Sequence, residues 1–305
     1  MTRFLSALLV SLVLLVSGCA APARMAAAPA APRAFAWEVE APSGTRLTLV
    51  GSIHMGKSGG LPIPPAVDAA FARADALVVE VDVGAVDAGQ MQQAIMRLGM
   101  LPPERSLRQE LGPELWARLE PRLSAVGLPP AGADRLRPWV VSVMLPALEL
   151  AKAGYAPEGG VDKHFLDRAR GKKAIVELES AEGQLRMLAG FDEALQKSML
   201  QEQLEEQRRT DELVEVFAQA WRAGDADAMV EHLFADAARP EYKDLYERVF
   251  FARNRQMFER MRALLAQPDR THFVVVGAGH VVGKDGLVDL FTRAGYRVRQ
   301  LPQDG

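Results

Sequence analysis

The sequence predicts an α/β fold, with a small central sheet covered by a helix-rich middle region and two similar strand-turn-helix-strand units opening and closing the folded part. Three observations carry this expectation. Leu47-Thr48-Leu49-Val50 runs into Gly51-Ser52-Ile53-His54, and Phe273-Val274-Val275-Val276 runs into Gly277-Ala278-Gly279-His280, so a Gly-x-x-His element follows a short apolar run twice. Each copy leads into a segment with helical spacing and then a further strand-like run. The long stretch between them reads mostly as amphipathic helix.

In chain order, Phe35 to Glu40 and Thr45 to Val50 flank Ala41-Pro42-Ser43-Gly44, a hairpin signature. A Gly/Pro loop after His54 precedes a helix ending near Ala74, and Asp75 to Val83 follows as a buried strand whose apolar run is first broken by Glu80. Helices are expected over Gln90 to Leu98, Pro113 to Val126, Pro138 to Ala153 and Val161 to Arg170, before a strand from Ala174 to Leu178 that ends at Glu179. Further helices cover Glu182 to Leu188, Asp192 to Arg209, Asp211 to Ala223, Ala226 to Ala235 and Tyr242 to Leu265. The closing unit is a strand Thr271 to Val276, a helix Asp285 to Ala294 and a strand Tyr296 to Leu301. A single domain over 35–302 is therefore expected, with a helical insertion at about 88–265. Met91, Met96 and Met100 lie near helical spacing and read as packing residues, and the charged run Gln201 to Glu212 reads as a solvated helix face.

The first residues read as a leader. Met1-Thr2-Arg3 is basic, Phe4 to Val16 is apolar but short for a membrane span, and small residues follow at Ser17-Gly18-Cys19. Residues 1–18 are expected to be a lipoprotein-type signal peptide, with Cys19 lipidated. Ala20 after Cys19 points, by resemblance to Gram-negative lipoproteins, to an outer-membrane anchor facing the periplasm. Residues 19–34, nearly all Ala and Pro, read as a tether. Cys19 is the single cysteine, which leaves no intramolecular disulfide and no cysteine-based zinc site. Composition is 49% hydrophobic and 25% charged with a net charge of -3, and no Lys/Arg-rich block is present, which argues against a nucleic-acid partner.

Gly at the end of a buried strand permits a sharp turn or close backbone approach, and ligands of open α/β sheets gather at the carboxyl ends of strands. His54 and His280 would both stand there, with Glu80 at the end of the strand between them in sequence. A lone histidine in such a turn is more often a hydrogen-bonded structural residue; the repetition favours a shared site.

These motifs in this order resemble the TraB/PrgY/GumN family. Gly51-Ser52-Ile53-His54, the strand ending in Glu80, Gly160-Val161-Asp162, Glu177-Leu178-Glu179 followed by Gln184, Arg253-Asn254, and Gly277-Ala278-Gly279-His280 with Gly283 span essentially all of Phe35 to Leu301. That family takes in Tiki-like proteins, which look like metal-dependent peptidases, and is related in fold to erythromycin esterase and ChaN-like proteins.

The resemblance implies His54, Glu80 and His280 as catalytic or metal-binding residues, with Asp162, Glu179, Arg253 and Asn254 in support. Two imidazoles and a carboxylate suit manganese, cobalt, zinc or iron and leave positions open for water and substrate. The same residues are also suited to metal-free hydrolysis, with one His as base and Glu80 orienting it. The expectation is a membrane-tethered periplasmic hydrolase, a metal-dependent peptidase-like enzyme that uses the two Gly-x-x-His motifs and Glu80 on a peptide or a small ester or amide. The alternative is a non-catalytic lipoprotein binding haem, metal or peptide.

Overall fold

The computed structural model describes residues 32–206, 209–267 and 270–304; the expected signal segment, Cys19 and all but the end of the tether lie outside them. At the centre is a six-stranded sheet in the order β6-β4-β7-β2-β1-β8, formed by β1 Arg33–Glu40, β2 Arg46–Ser52, β4 Ala76–Val79, β6 Ala174–Glu177, β7 His272–Gly277 and β8 Arg297–Pro302. The strands β6, β4, β7 and β2 are mutually parallel, and β1 runs antiparallel between β2 and β8. A separate short ladder joins β3 Gly56–Lys57 to β5 Tyr155–Ala156. The α/β class read from the sequence is the class observed.

Every residue of β4 and β7 is buried. Parallel strands covered on both faces need apolar side chains on both sides, which is why these two read as unbroken apolar runs. Along the edge strand β8 burial alternates instead, with Arg297 and Arg299 exposed and Val298 and Gln300 half-buried. Between β1 and β2 the expected hairpin turn closes through Ala41 N donating to Thr45 O at 2.8 Å.

The chain leaves β2 toward β4 and leaves β7 toward β8, in opposite directions along the sheet, although β2 and β7 are neighbours. This is a topological switch point, where α/β sheets open a crevice at the carboxyl ends of their strands. It also separates the two Gly-x-x-His units. The strand after the first, β4, joins the parallel core, whereas the strand after the second, β8, lies at the far edge beside β1.

Phe71 of the helix Pro65–Arg73, Phe165 of the helix Val161–Ala169 and Phe273 of β7 pack with ring centroids 4.7 to 5.2 Å apart. Their burial anchors both helices to the sheet, each ring contributing roughly 1.5–3 kcal/mol. Phe258 and Phe291, 4.9 Å apart, tie the helix Ala252–Leu265 to the helix Leu287–Arg293.

The middle of the chain has apolar clusters of its own, one around Trp139, Phe191, Met199, Tyr246 and Phe250, the other around Leu107, Trp116, Leu119, Leu145 and Leu200. The span 88–265 is not purely helical, because it supplies β5 and β6, and β6 belongs to the central sheet. Among the described residues no helix is long and apolar enough to cross a membrane.

Several boundaries differ from the expectation. The strand expected over Asp75 to Val83 pairs only over Ala76–Val79, and Glu80 stands just beyond it. The helix expected from Pro113 to Val126 starts where expected, but a short additional helix begins at Leu107, where Ser106 accepts from Gln109 N at 3.2 Å, and is separated from it by Gly112, whose φ of +76° breaks the helical run before Pro113. The helix expected over Asp192 to Arg209 runs over Glu193–Glu205 and then meets residues 207 and 208, which are outside the described set. The expected helix Tyr242 to Leu265 is interrupted by a π-helical turn, Glu247–Phe251, before Ala252–Leu265.

Replacing Phe165 by Ala removes the central ring of the cluster and is expected to lower unfolding stability by roughly 3–5 kcal/mol. Denaturant melts read this directly, and a loss below about 1 kcal/mol would show that the cluster does not anchor the helix.

Candidate active site

The carboxyl ends of β2, β7, β4 and β6 lie along one edge of the sheet, with Ser52 opposite Gly277, Val79 opposite Val275, and Val79 opposite Glu177. Beyond β4 and β6 the backbones stay paired, since Leu178 N donates to Val79 O and Glu179 N to Glu80 O, both at 2.8 Å. Glu80 and Glu179 are thereby held side by side.

Arg253 enters this acidic edge. Its Nη2 donates to Glu80 Oε2 and to Glu179 Oε2, each at 2.6 Å, and its Nε donates to Glu179 Oε1 at 2.8 Å. Its remaining Nη1 donates to Val249 O at 2.9 Å, a carbonyl within the π-helical turn. Gln184 Nε2 reaches Glu179 Oε2 at 3.0 Å and Glu80 Oε2 at 3.3 Å, and Gly277 N donates to Glu80 Oε1 at 2.5 Å. Glu80 and Arg253 are 8% and 7% exposed, so this network stands in protein rather than in water.

Asn254, the next residue on the same helix, orients His280. Asn254 Nδ2 donates to Asp285 O at 2.9 Å, which sets the amide so that its Oδ1 faces His280 Nδ1 at 2.6 Å. Nδ1 therefore carries the proton, and Nε2 presents its lone pair 3.8 Å from Glu80 Oε2. His280 itself is fully buried in the short helix Ala278–Val281, with Phe250 packed 5.4 Å from its ring.

His54 sits differently. It follows β2 in a loop, its side chain is 30% exposed, and its Nδ1 lies 3.2 Å from Asp162 Oδ1. Asp162 is fixed by Ser52, whose Oγ donates to Asp162 Oδ1 at 2.6 Å and accepts from Asp162 N at 3.1 Å. Gly160 makes this approach possible, because a Cβ there would collide with the His54 carbonyl oxygen. Val161 N then donates to Ile53 O at 3.0 Å, so the helix Val161–Ala169 starts against the strand end that carries the histidine.

The two imidazoles are driven apart in acidity. For His54, burial opposes the charged ring, but the charge and hydrogen bond of Asp162, together with Glu80, outweigh it and raise the pKa to about 9. For His280, burial and then the Arg253 guanidinium lower it to about 4. Burial also opposes ionisation of Glu80, yet its surroundings (His280, Arg253, His54 and the Gly277 N–H) hold it down at about 2. Near neutral pH the site therefore contains a cationic His54, a neutral His280 and an ionised Glu80 bound to Arg253.

All seven residues singled out in the described part of the sequence fall at this edge, in two linked groups. Glu80, Glu179, Arg253, Asn254 and His280 form one network, and His54 with Asp162 forms the other, close enough for the His54 charge to act on both Glu80 and His280. For a metal centre the obstacle is Glu80, both of whose oxygens are held by protein donors, one of them the Arg253 cation. The imidazoles themselves are compatible with one, since Nδ1 of each is held by a partner, Asp162 for His54 and Asn254 for His280, as in metal-ligating histidines that bind through Nε2. Among the described residues no group of three or more His, Cys, Asp or Glu side chains is gathered to hold an ion.

The site also uses residues that the sequence did not single out for it. Ser52 is the second residue of the first Gly-x-x-His, and the corresponding Ala278 of the second has no hydroxyl, a difference visible in the text of the chain. Trp221 donates from Nε1 to Gly51 O at 2.6 Å and braces the end of β2 from a helix far away in sequence, with no local signal to reveal it.

Residues 35–300 match the TraB/PrgY/gumN family, and the chain belongs to that family. It is similar to the protein titled uncharacterized protein YbaP of Escherichia coli (strain K12), 26% identical over 82% of this chain and 89% of that protein. It is also similar to metalloprotease TIKI1 of Danio rerio, 27% identical over 68% of this chain and 52% of that protein. A shorter match, 36% identical over 19% of this chain and 12% of the relative, reaches metalloprotease TIKI1 of Homo sapiens. No solved structure matches the chain.

The acidities have consequences that can be checked by titration. His54, raised above 6.5, contributes stability that is complete below about 6.5 and is lost as pH rises through about 9. His280, lowered, contributes stability present above 6.5 and lost as pH falls through about 4; Glu80 behaves likewise, from 4.5 down through about 2. Histidine proton resonances followed by NMR are expected to titrate near these two values, and Asp162→Asn is expected to lower that of His54 by about 1–3 pH units. Two histidines titrating together near 6.5 would contradict the assignment.

Proposed function

We propose that this protein is a hydrolase of amide or ester bonds, peptidase-like in substrate, held at the outer membrane by a lipidated Cys19 and facing the periplasm. The observation that supports it best is geometric: at neighbouring strand ends His54 lies against Asp162, while His280 is held by Asn254 with its Nε2 3.8 Å from Glu80, environments that push the two acidities apart. Sites that separate the pKa values of neighbouring titratable groups thereby assign an acid and a base. Kinship to proteins named metalloproteases supports the hydrolytic reading.

In this reading His54, protonated and at the accessible side of the site, donates to the substrate carbonyl oxygen or to the leaving group. His280, neutral and with its Nε2 lone pair set by Asn254, takes the proton of the attacking water. Glu80, 3.8 Å from that nitrogen, stabilises the imidazolium as it forms. Arg253 keeps Glu80 ionised and in place. Each step in this reading uses the chain's own groups.

Purified protein screened against 4-nitrophenyl esters and chromogenic peptides is expected to show a bell-shaped kcat/KM profile. The acid limb lies near 4, where His280 loses its proton, and the alkaline limb near 9, where His54 does. His54→Ala and His280→Ala are each expected to reduce kcat/KM by roughly 10²–10⁴-fold, each abolishing its own limb. Hydrolysis at the wild-type rate by both variants would overturn the proposal, as would a profile whose limbs survive both substitutions.

A further inference from the structure

Next to the catalytic residues is a cavity of about 370 Å³ that the chemistry above does not use. Its walls are apolar, with Val83 from the loop after β4, Met91 from the helix Ala88–Gly99, and Leu185 and Leu188 from the helix Ala181–Ala189. Its polar members are Gln184 and Arg253, the two side chains that bind Glu80 and Glu179. Both direct their donors at those carboxylates, so what they offer the cavity is a floor already saturated with hydrogen bonds. The volume is within the roughly 300–1,000 Å³ typical of pockets for small ligands.

Two further features mark this cavity as a receptor for something apolar. Val83 is 50% exposed, one of two large hydrophobic residues left this open among the described residues. The other, Met96, lies on the same helix as Met91, which is itself only partly buried. Methionine side chains adapt to irregular apolar partners because their thioethers are flexible and polarisable. The methionines that the sequence presents as packing residues therefore have one member, Met91, that packs against open space.

We propose that this cavity is the specificity pocket of the hydrolase and accepts an aliphatic acyl chain or a large apolar side chain on the substrate, next to the bond that is cut. The proposal rests on the hydrolytic reading above. Continuity carries it: Arg253 is at once a wall of the cavity and the partner of Glu80, which stands 3.8 Å from His280. Neither histidine lines the cavity, so a substrate whose scissile carbonyl meets His54 and His280 reaches past Arg253 to place its apolar group here. Water released from Val83, Met91, Leu185 and Leu188 then drives binding.

The test compares kcat/KM for 4-nitrophenyl acetate and 4-nitrophenyl hexanoate, which differ by four methylenes. Burial of each is expected to favour the longer ester by about fourfold, or on the order of 10²-fold in total. The double variant Val83→Asp, Leu185→Asp is expected to reduce this preference to roughly tenfold or less, and Met91→Trp, which fills the cavity instead of charging it, to shift preference toward acetate. A preference unchanged in both variants overturns the pocket.

If the wild-type protein hydrolyses neither ester nor any peptide, the hydrolytic reading fails, and the pocket is then judged by fluorescence of N-phenyl-1-naphthylamine. Equal binding by the wild type and His280→Ala, with binding at least tenfold weaker to the double variant, supports an apolar receptor there. Equal binding by all three proteins overturns it.

Discussion

Arg253, buried between Glu80 and Glu179, is the contact on which the rest of the site depends. Removing three charges from water costs several kcal/mol per ion, so such a triad persists only where hydrogen bonds satisfy nearly every polar atom. Here they do, through Gln184, the Gly277 N–H and the Val249 carbonyl. The triad joins the ends of β4 and β6 to the helix Ala252–Leu265, and its Gly277 contact adds β7. Three separate segments are thus locked at the edge where the two histidines stand. The π-helical turn Glu247–Phe251 comes immediately before Arg253 and Asn254 and supplies the carbonyl that holds the guanidinium. Such turns recur at functional sites.

The two histidines share a motif and little else. His54 lies half-buried in the loop after β2 against a carboxylate and is held protonated, whereas His280 is buried in a short helix beside a guanidinium and is held neutral. The difference follows from what each strand end meets. β2 faces Asp162 across Gly160, while β7 faces the helix that carries Arg253 and Asn254. One sequence pattern placed at adjacent strand ends therefore yields one protonated and one neutral imidazole.

Much of the sheet was legible in the chain, because buried parallel strands such as Val274-Val275-Val276 and Leu77-Val78-Val79 carry uninterrupted apolar runs that no surface element would tolerate. Glu80 was legible as the residue that ends such a run. Pairing order was not, since nothing local in Tyr296 to Leu301 shows that β8 crosses to the far edge instead of repeating the path of β4. The Gly-x-x-His copies marked strand ends, but protonation was out of reach. It depends on Arg253 and Asp162, which lie far from their histidines in sequence and reach them only through tertiary packing. The π-helical turn was hidden for a similar reason: Tyr242 to Leu265 has ordinary helical composition, and only the demands of the buried triad reveal the extra residue in the turn.

The central claim is that Glu80 and Arg253 act as one buried unit, and a double-mutant cycle on unfolding stability tests it most directly. Arg253→Met leaves Glu80 and Glu179 buried without their cation, at a cost of roughly 3–5 kcal/mol, whereas Glu80→Gln leaves Arg253 paired with Glu179 alone and costs less. Combined, they are predicted to cost less than the sum of the two by about 1–3 kcal/mol. Additive losses, within about 0.5 kcal/mol, would contradict the account and leave the site without its organising contact.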